Sequence, residues 1–173
     1  MIASIHQPQY FPWLPYFLKV RESDVFILLD SVDFQKNGLQ NRNRIKTAQG
    51  AQWLTVPVCQ NLGQKILEVK IDNKVDWKKK HWLTIQQSYR KAKAFNCYAQ
   101  GIEDVFSQDW TWLNDLNIHL FKLMKGWLGI DCQIKRSSEM RSRGKGSELI
   151  LNLCLETGAT QYASGTGGQN YLE

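Results

Sequence analysis

This chain has no membrane-length apolar run, no paired metal ligands and no recognisable catalytic triad, and each absence removes a class of function. The longest purely aliphatic and aromatic run, Val25 to Leu29, falls far short of the roughly 20 residues a membrane helix needs. Met1 to Gln9 lacks the basic start and apolar centre of an export signal, so a cytoplasmic protein without membrane insertion is expected. Cys59, Cys97, Cys132 and Cys154 lie far apart, with no CxxC and no Cys/His pair at zinc spacing. They read as reduced thiols, each a small buried hydrophobe. No HExxH, no Ser-His-Asp signature, no paired carboxylates and no flavin motif can be found, which leaves metal-free chemistry as the expectation. Internal repeats, low-complexity tracts and linkers are missing too, so 1–173 is expected to form one α/β domain.

What the chain does have is apolar bulk and positive charge. At 43% hydrophobic it can bury a sizeable core, and among seven tryptophans some are expected in the core and others in apolar walls or base-stacking platforms. The net charge of +6 favours an anionic partner, with a small phosphate-bearing molecule ahead of nucleic acid. Lys78-Lys79-Lys80, the densest basic run, reads as a solvated helix face.

Met1 to Ile5 reads as a short apolar strand stopped by Pro8. Pro8 and Pro12 frame a rigid turn, because each fixes φ and disfavours helix at the preceding residue. Trp13, Tyr16, Phe17 and Val20 then recur at helical spacing, predicting a helix from about Trp13 to Glu22. Val25 to Leu29, apolar on both faces, reads as a central strand. This β-α-β opening is the unit of a parallel sheet, and the fold class follows: α/β, with a Rossmann-like parallel sheet flanked by helices. Trp53 to Val58 and Ile66 to Ile71 are expected to pair as an antiparallel hairpin at a sheet margin, with Arg44 to Lys46 as an edge strand. Helices are predicted over 76–93, 96–107 and 111–127, the last closed by Gly129. A short strand at Cys132 to Ile134, a helix from Ser147 as cap to Glu156, and a strand from Thr160 to Ala163 complete the reading. His81 and His119 fall on helices in packing or surface roles.

Four stretches carry candidate chemistry. His6 and Gln7 stand where the first strand ends and a helix is about to begin, the place where open α/β sheets bind ligands. Histidine there can hold or protonate a phosphoryl oxygen and titrates near neutral pH, which makes His6 the candidate catalytic residue. Gln7, Tyr10 and Trp13 are candidate substrate contacts beside it. Alternation in Gln40-Asn41-Arg42-Asn43-Arg44-Ile45-Lys46 puts Arg42, Arg44 and Lys46 on one face of an extended segment, with Asn41 and Asn43 on the other. Guanidinium forks match phosphate bidentately and asparagine reads amides or base edges. These cations are expected to converge with His6 on one cleft. The Ser/Gly loop Ser164-Gly165-Thr166-Gly167-Gly168 has the character of an anion cradle, though it matches neither the Walker A nor the GxGxxG pattern. Ser138 and Lys145 complete the candidate set.

Ile5 to Phe17, Asp24 to Asp30, Gln40 to Thr47 and Trp53 to Val58 together resemble the WbqC-like protein family, as do Lys80-His81, Tyr89, Ser137-Ser138-Glu139, Lys145 to Glu148 and Tyr162 to Gly165. The resemblance runs in order over essentially the whole chain. Pro15 stands where the family usually has glycine, and the family continues beyond the segment matched by Tyr162 to Leu172, so the chain resembles a member shortened at its carboxy end. The resemblance implies a bacterial protein of surface-polysaccharide (O-antigen, lipopolysaccharide) biosynthesis. The first β-α-β unit is also faintly similar to HIGH-type nucleotidyltransferases, whose histidine turn grips ATP phosphates. The second histidine of that signature is absent here, with Trp13 or Tyr16 near its place. The leading expectation is a transferase acting on a nucleotide-linked substrate, with a nucleotide or acyl-coenzyme A as cofactor. An RNA- or nucleotide-binding module and a non-catalytic scaffold are the rivals, and a homo-oligomer is compatible with each.

Overall fold

The computed structural model describes residues 1–165. Its contacts divide the chain into two compact units. One is made of Met1–Pro8, Pro12–Val32 and the chain from Met124 onward, the other of Gln9–Phe11 and Asp33–Leu123.

The first unit is built on a four-stranded parallel sheet. β1 (Ile2–His6) lies between β2 (Val25–Leu28) and β8 (Gln161–Tyr162), and β7 (Gln133–Arg136) flanks β2, giving the order β7-β2-β1-β8. All four residues of β2 are buried, as its two-sided apolarity requires. Alternation sorts the side chains by face. Ala3, Ile5, Val25 and Ile27 pack in one cluster with Leu149, Leu153 and Cys154 of α5 (Gly146–Thr157). From α1 (Leu14–Arg21), the Tyr16 ring sits 5.3 Å from that of Phe26. The sheet is thus covered by helices on both faces, the Rossmann-like α/β arrangement expected from its β-α-β opening. α1 starts with Pro15 in its first turn, where the missing N–H costs little, and ends with Lys19 and Arg21 in the dipole-favoured last turn.

The second unit holds β3 (Arg42–Thr47) and β4 (Gly50–Thr55), joined as a hairpin, and the small antiparallel pair β5 (Val58–Cys59) and β6 (Lys70–Ile71). With them come α2 (Trp77–Tyr89), α3 (Phe95–Ser107) and most of α4 (Leu113–Trp127). Tyr10, Leu54, Val56, Trp77, Val105 and Leu116 are among its core residues.

Three local expectations are corrected. Trp53 pairs with Arg44 of the preceding strand, not with the Ile66–Ile71 segment. Pro57, lacking an N–H, separates the β4 ladder from the two-residue β5. Ile66–Glu68 is a 3-10 turn, closed by the Glu68 carboxylate accepting from the Lys65 N–H at 3.1 Å. Both antiparallel pairs form sheets of their own, not a margin of the parallel sheet. Helix α5 begins at Gly146 after Lys145, with no side-chain cap, so Ser147 lies inside it. Finally, only Cys132 and Cys154 are buried; Cys59 and Cys97 are exposed.

Among the described residues no helix is long and apolar enough to cross a membrane.

Candidate functional site

The chain runs from β1 outward through β2 to β7, then returns to the other side of β1 as β8. That reversal is a topological switch point, and the crevice beyond the carboxyl ends of β1 and β8 is where such sheets take ligands. His6 is the last residue of β1. Its Nδ1 lies 3.1 Å from the Gln7 carbonyl oxygen, which can only accept, so Nδ1 carries the proton and Nε2 the lone pair. The ring lies 4.7 Å from that of Tyr16, whose hydroxyl donates to the same carbonyl at 3.3 Å. Burial lowers the His6 pKa to about 4; the Gln7 hydrogen bond opposes this and the charge of Lys19 adds to it. The imidazole is therefore neutral at pH 7, and the expected titration near neutrality is corrected by its desolvation.

Lys19 is the residue that the sequence reading missed. Its Nζ donates to the Ile5 carbonyl of β1 at 2.9 Å and lies 5.7 Å from the centre of the Tyr162 ring on β8. It thus sits across the two strands of the switch point, and burial lowers its pKa to about 8. One signal was available: Lys19 follows Tyr16 by three residues, which places a lysine on the helix face that goes inward. Ser4 of β1 donates to the Ala163 carbonyl at 3.0 Å, fixing the chain that leaves β8 toward Ser164 and Gly165. Both of those residues are exposed, and the Ser164 hydroxyl donates to the Gly165 carbonyl at 3.0 Å. The remainder of the predicted anion cradle, Thr166 to Gly168, lies outside the described residues.

On the other side of β1, the ends of β2 and β7 are tied by a buried carboxylate. Asp30 has no accessible surface. Oδ1 accepts from the Ser137 hydroxyl (3.1 Å) and the Ser138 N–H (2.9 Å), and Oδ2 from the Ser138 hydroxyl and Arg136 Nε, both at 2.9 Å. Ser138 is therefore committed to Asp30, not held out toward a substrate. Two strand spacings, about 10 Å, separate β7 from β1. Lys145 is exposed just before α5, and Trp13 is 58% exposed at the start of α1.

The remaining candidates belong to the second unit, and several serve its packing. Tyr10 has no accessible surface; its hydroxyl pairs with His81 Nδ1 at 2.8 Å, so it is corrected from substrate contact to core. Burial holds the pKa of His81 at about 4, although its bond to the Thr55 carbonyl opposes the shift. Asn41 is buried, with its Nδ2 donating to the Val56 carbonyl at 2.9 Å. Asn43 spends its Nδ2 on the carbonyls of Tyr10 (3.3 Å) and Phe11 (2.7 Å), and its Oδ1 on the Arg44 N–H. Both amides are thus structural. Arg42 and Arg44 stack on Trp53, with guanidinium carbons 4.4 and 5.1 Å from the ring centre, and Lys46 is exposed along the same face of β3.

Among the described residues, no group of three or more His, Cys, Asp and Glu side chains is placed to hold a metal ion. The strand order and the helices on both faces define an α/β protein with a Rossmann-type switch point between β1 and β8. The chain belongs to the WbqC-like protein family, whose model matches residues 7–173. It is 36% identical over 175 residues to the uncharacterized protein Rv1507c of Mycobacterium tuberculosis, an alignment spanning 99% of this chain and 75% of the relative. No solved structure matches it.

Proposed function

We propose that the chain is a group-transfer enzyme acting on a nucleotide-linked or otherwise phosphate-bearing substrate in bacterial surface-polysaccharide assembly. The observation that carries this reading is the neutral His6 imidazole, its proton fixed on Nδ1, at the switch point that Lys19 spans. In the proposed step an acceptor hydroxyl or amine attacks the transferred group. The bond from that group to phosphate breaks, its electron pair leaves with the phosphate, and the acceptor's proton passes to His6 Nε2. The Lys19 ammonium offsets the charge growing on the leaving phosphate, while Gln7 and the Ser164-Gly165 backbone orient it. A bound anion also raises the basicity of His6, because it counters the penalty that burial imposes on the imidazolium.

Thermal unfolding with uridine diphosphate, uridine diphosphoglucose and acetyl-coenzyme A tests the reading. A probe at about 100 times its Kd adds about 2.7 kcal/mol of stability. A phosphate-bearing probe is expected to raise the Tm of the wild type and not of Lys19→Met. Binding should be full below pH 8 and weaken as pH rises through the Lys19 pKa of about 8. If no phosphate-bearing probe shifts the Tm, or if Lys19→Met responds like wild type, the proposal fails.

A second reading, nucleotide or RNA binding without catalysis, is favoured by one observation: Arg42 and Arg44 stacked on the 42%-exposed Trp53. Stacking pre-orients guanidinium edges for phosphates, and RNA affinity would then fall steeply with salt.

A further inference from the structure

In the second unit a cavity of about 340 Å³ opens between the hairpin and the α2–α3 connection. Phe11, Ile45, Ile85, Phe95 and Ile102 wall it, with Tyr89 and Tyr98 at its side and Ala92 and Ala94 also lining it. Its size falls in the range of small-ligand pockets, roughly 300–1,000 Å³. The walls offer almost no polar group. A nucleobase or sugar entering it would leave donors and acceptors unpaired, whereas a hydrocarbon chain has none to lose.

The segment Arg90-Lys91-Ala92-Lys93-Ala94 supplies the complementary chemistry. Its two alanines line the cavity, and Arg90, Lys91 and Lys93 are exposed, with no carboxylate among the five residues. The Tyr89 hydroxyl accepts from the Lys46 N–H at 3.0 Å, so its own proton is available to an oxygen at the wall. An apolar interior flanked by cations fits one kind of occupant: a chain without polar atoms that ends in a negative head.

We propose that this cavity binds the acyl chain of a soluble single-chain anionic amphiphile, with Lys91 and Lys93 pairing its carboxylate or phosphate head. Nothing in this proposal depends on the transferase reading.

Calorimetric titration of the intact chain with octanoate, decanoate, dodecanoate, dodecyl phosphate and dodecan-1-ol, all below their micellar concentrations, tests it. Saturable one-to-one binding is expected, tightening about fourfold per methylene until the cavity is full. Ala94→Trp, a change at an exposed position, should abolish binding while the circular dichroism stays that of wild type. Joint Lys91→Glu and Lys93→Glu substitution should weaken dodecanoate at least tenfold and leave dodecan-1-ol unchanged. Tighter binding of dodecyl phosphate than of dodecanoate, or the reverse, identifies the head, and either order supports the proposal. It is overturned if no acyl probe binds saturably, if Ala94→Trp binds as well as wild type, if binding appears only on phosphatidylglycerol vesicles, or if light scattering shows that dimerisation occludes the cavity.

Discussion

In the first unit the buried carboxylate of Asp30 is met by donors from three consecutive residues, Arg136, Ser137 and Ser138. In the second, the buried amides of Asn41 and Asn117 are held by their NH2 ends alone, on the carbonyls of Val56 and Gln40, and neither Oδ1 meets a donor among the described residues. The contrast follows from charge. An uncompensated buried carboxylate costs several kcal/mol, a half-satisfied amide much less. A buried charge is retained where it fixes geometry, and Asp30 ties the end of β2, which lies beside β1, to that of β7.

The sharpest way to break this comparison is to remove its strongest member. Asp30→Ala leaves the Ser137 and Ser138 donors without their acceptor, while the part-exposed Arg136 keeps Glu139, and it is expected to cost about 2–3 kcal/mol. Asn117→Ala loses one hydrogen bond but also an unpaired oxygen, and is expected to cost about 1 kcal/mol. Urea denaturation of both variants measures the difference. Equal losses would show that full satisfaction of Asp30 has no special weight.

The same contrast explains how far the sequence could be read. The parallel sheet was legible because Val25 to Leu28 is apolar on both faces and a helix at 3.6-residue spacing precedes it. The position of His6 at the end of β1 was legible from the strand pattern and Pro8. Lys19 was not, because a lysine near a helix end reads as solvated until β8 is known to lie beside β1. The Asp30 cluster unites residues more than 100 positions apart, and no local pattern announces such pairing. Tyr10 and Asn43 failed as site residues for the opposite reason. They stand within polar-looking motifs, yet tertiary packing takes Tyr10 and Phe11 into the core of the second unit, and Asn43 holds their backbone. The expected pairing of Trp53–Val58 with Ile66–Ile71 holds only at Val58 and Ile71, because the alternation ignored the break that Pro57 imposes.

Acid reaches both units through one mechanism. His6 and His81 have pKa values near 4 in the fold, against 6.5 for the unperturbed side chain. Between these limits the unfolded chain takes up two protons that the folded chain refuses. Stability is therefore full above pH 6.5 and falls as pH drops toward 4, by on the order of 3 kcal/mol for each histidine. Replacing His81 with Phe should remove the second unit's share of the acid sensitivity and leave that of His6. A urea midpoint that stays level from pH 7 to pH 4.5 in the wild type would show that these imidazoles accept protons freely.

The smallest of the expected effects concerns the backbone that Asn43 holds. Phe11 has φ of 45°, a left-handed conformation that a residue with a bulky side chain adopts only under constraint, and such strain costs on the order of 1–3 kcal/mol. The Asn43 side chain donates to the carbonyls of Tyr10 and Phe11, so its bonds bear on the strained peptide itself. Asn43→Ala alone should destabilise the chain by about 1 kcal/mol. Glycine adopts positive φ without strain, so the same substitution made in a Phe11→Gly background should cost measurably less. The coupling between the two changes, read from a double-mutant cycle in urea, isolates the restraint from the packing lost with the Phe11 ring. Additive effects would mean that Asn43 supplies ordinary hydrogen bonds and that the constraint on Phe11 comes from elsewhere in the unit.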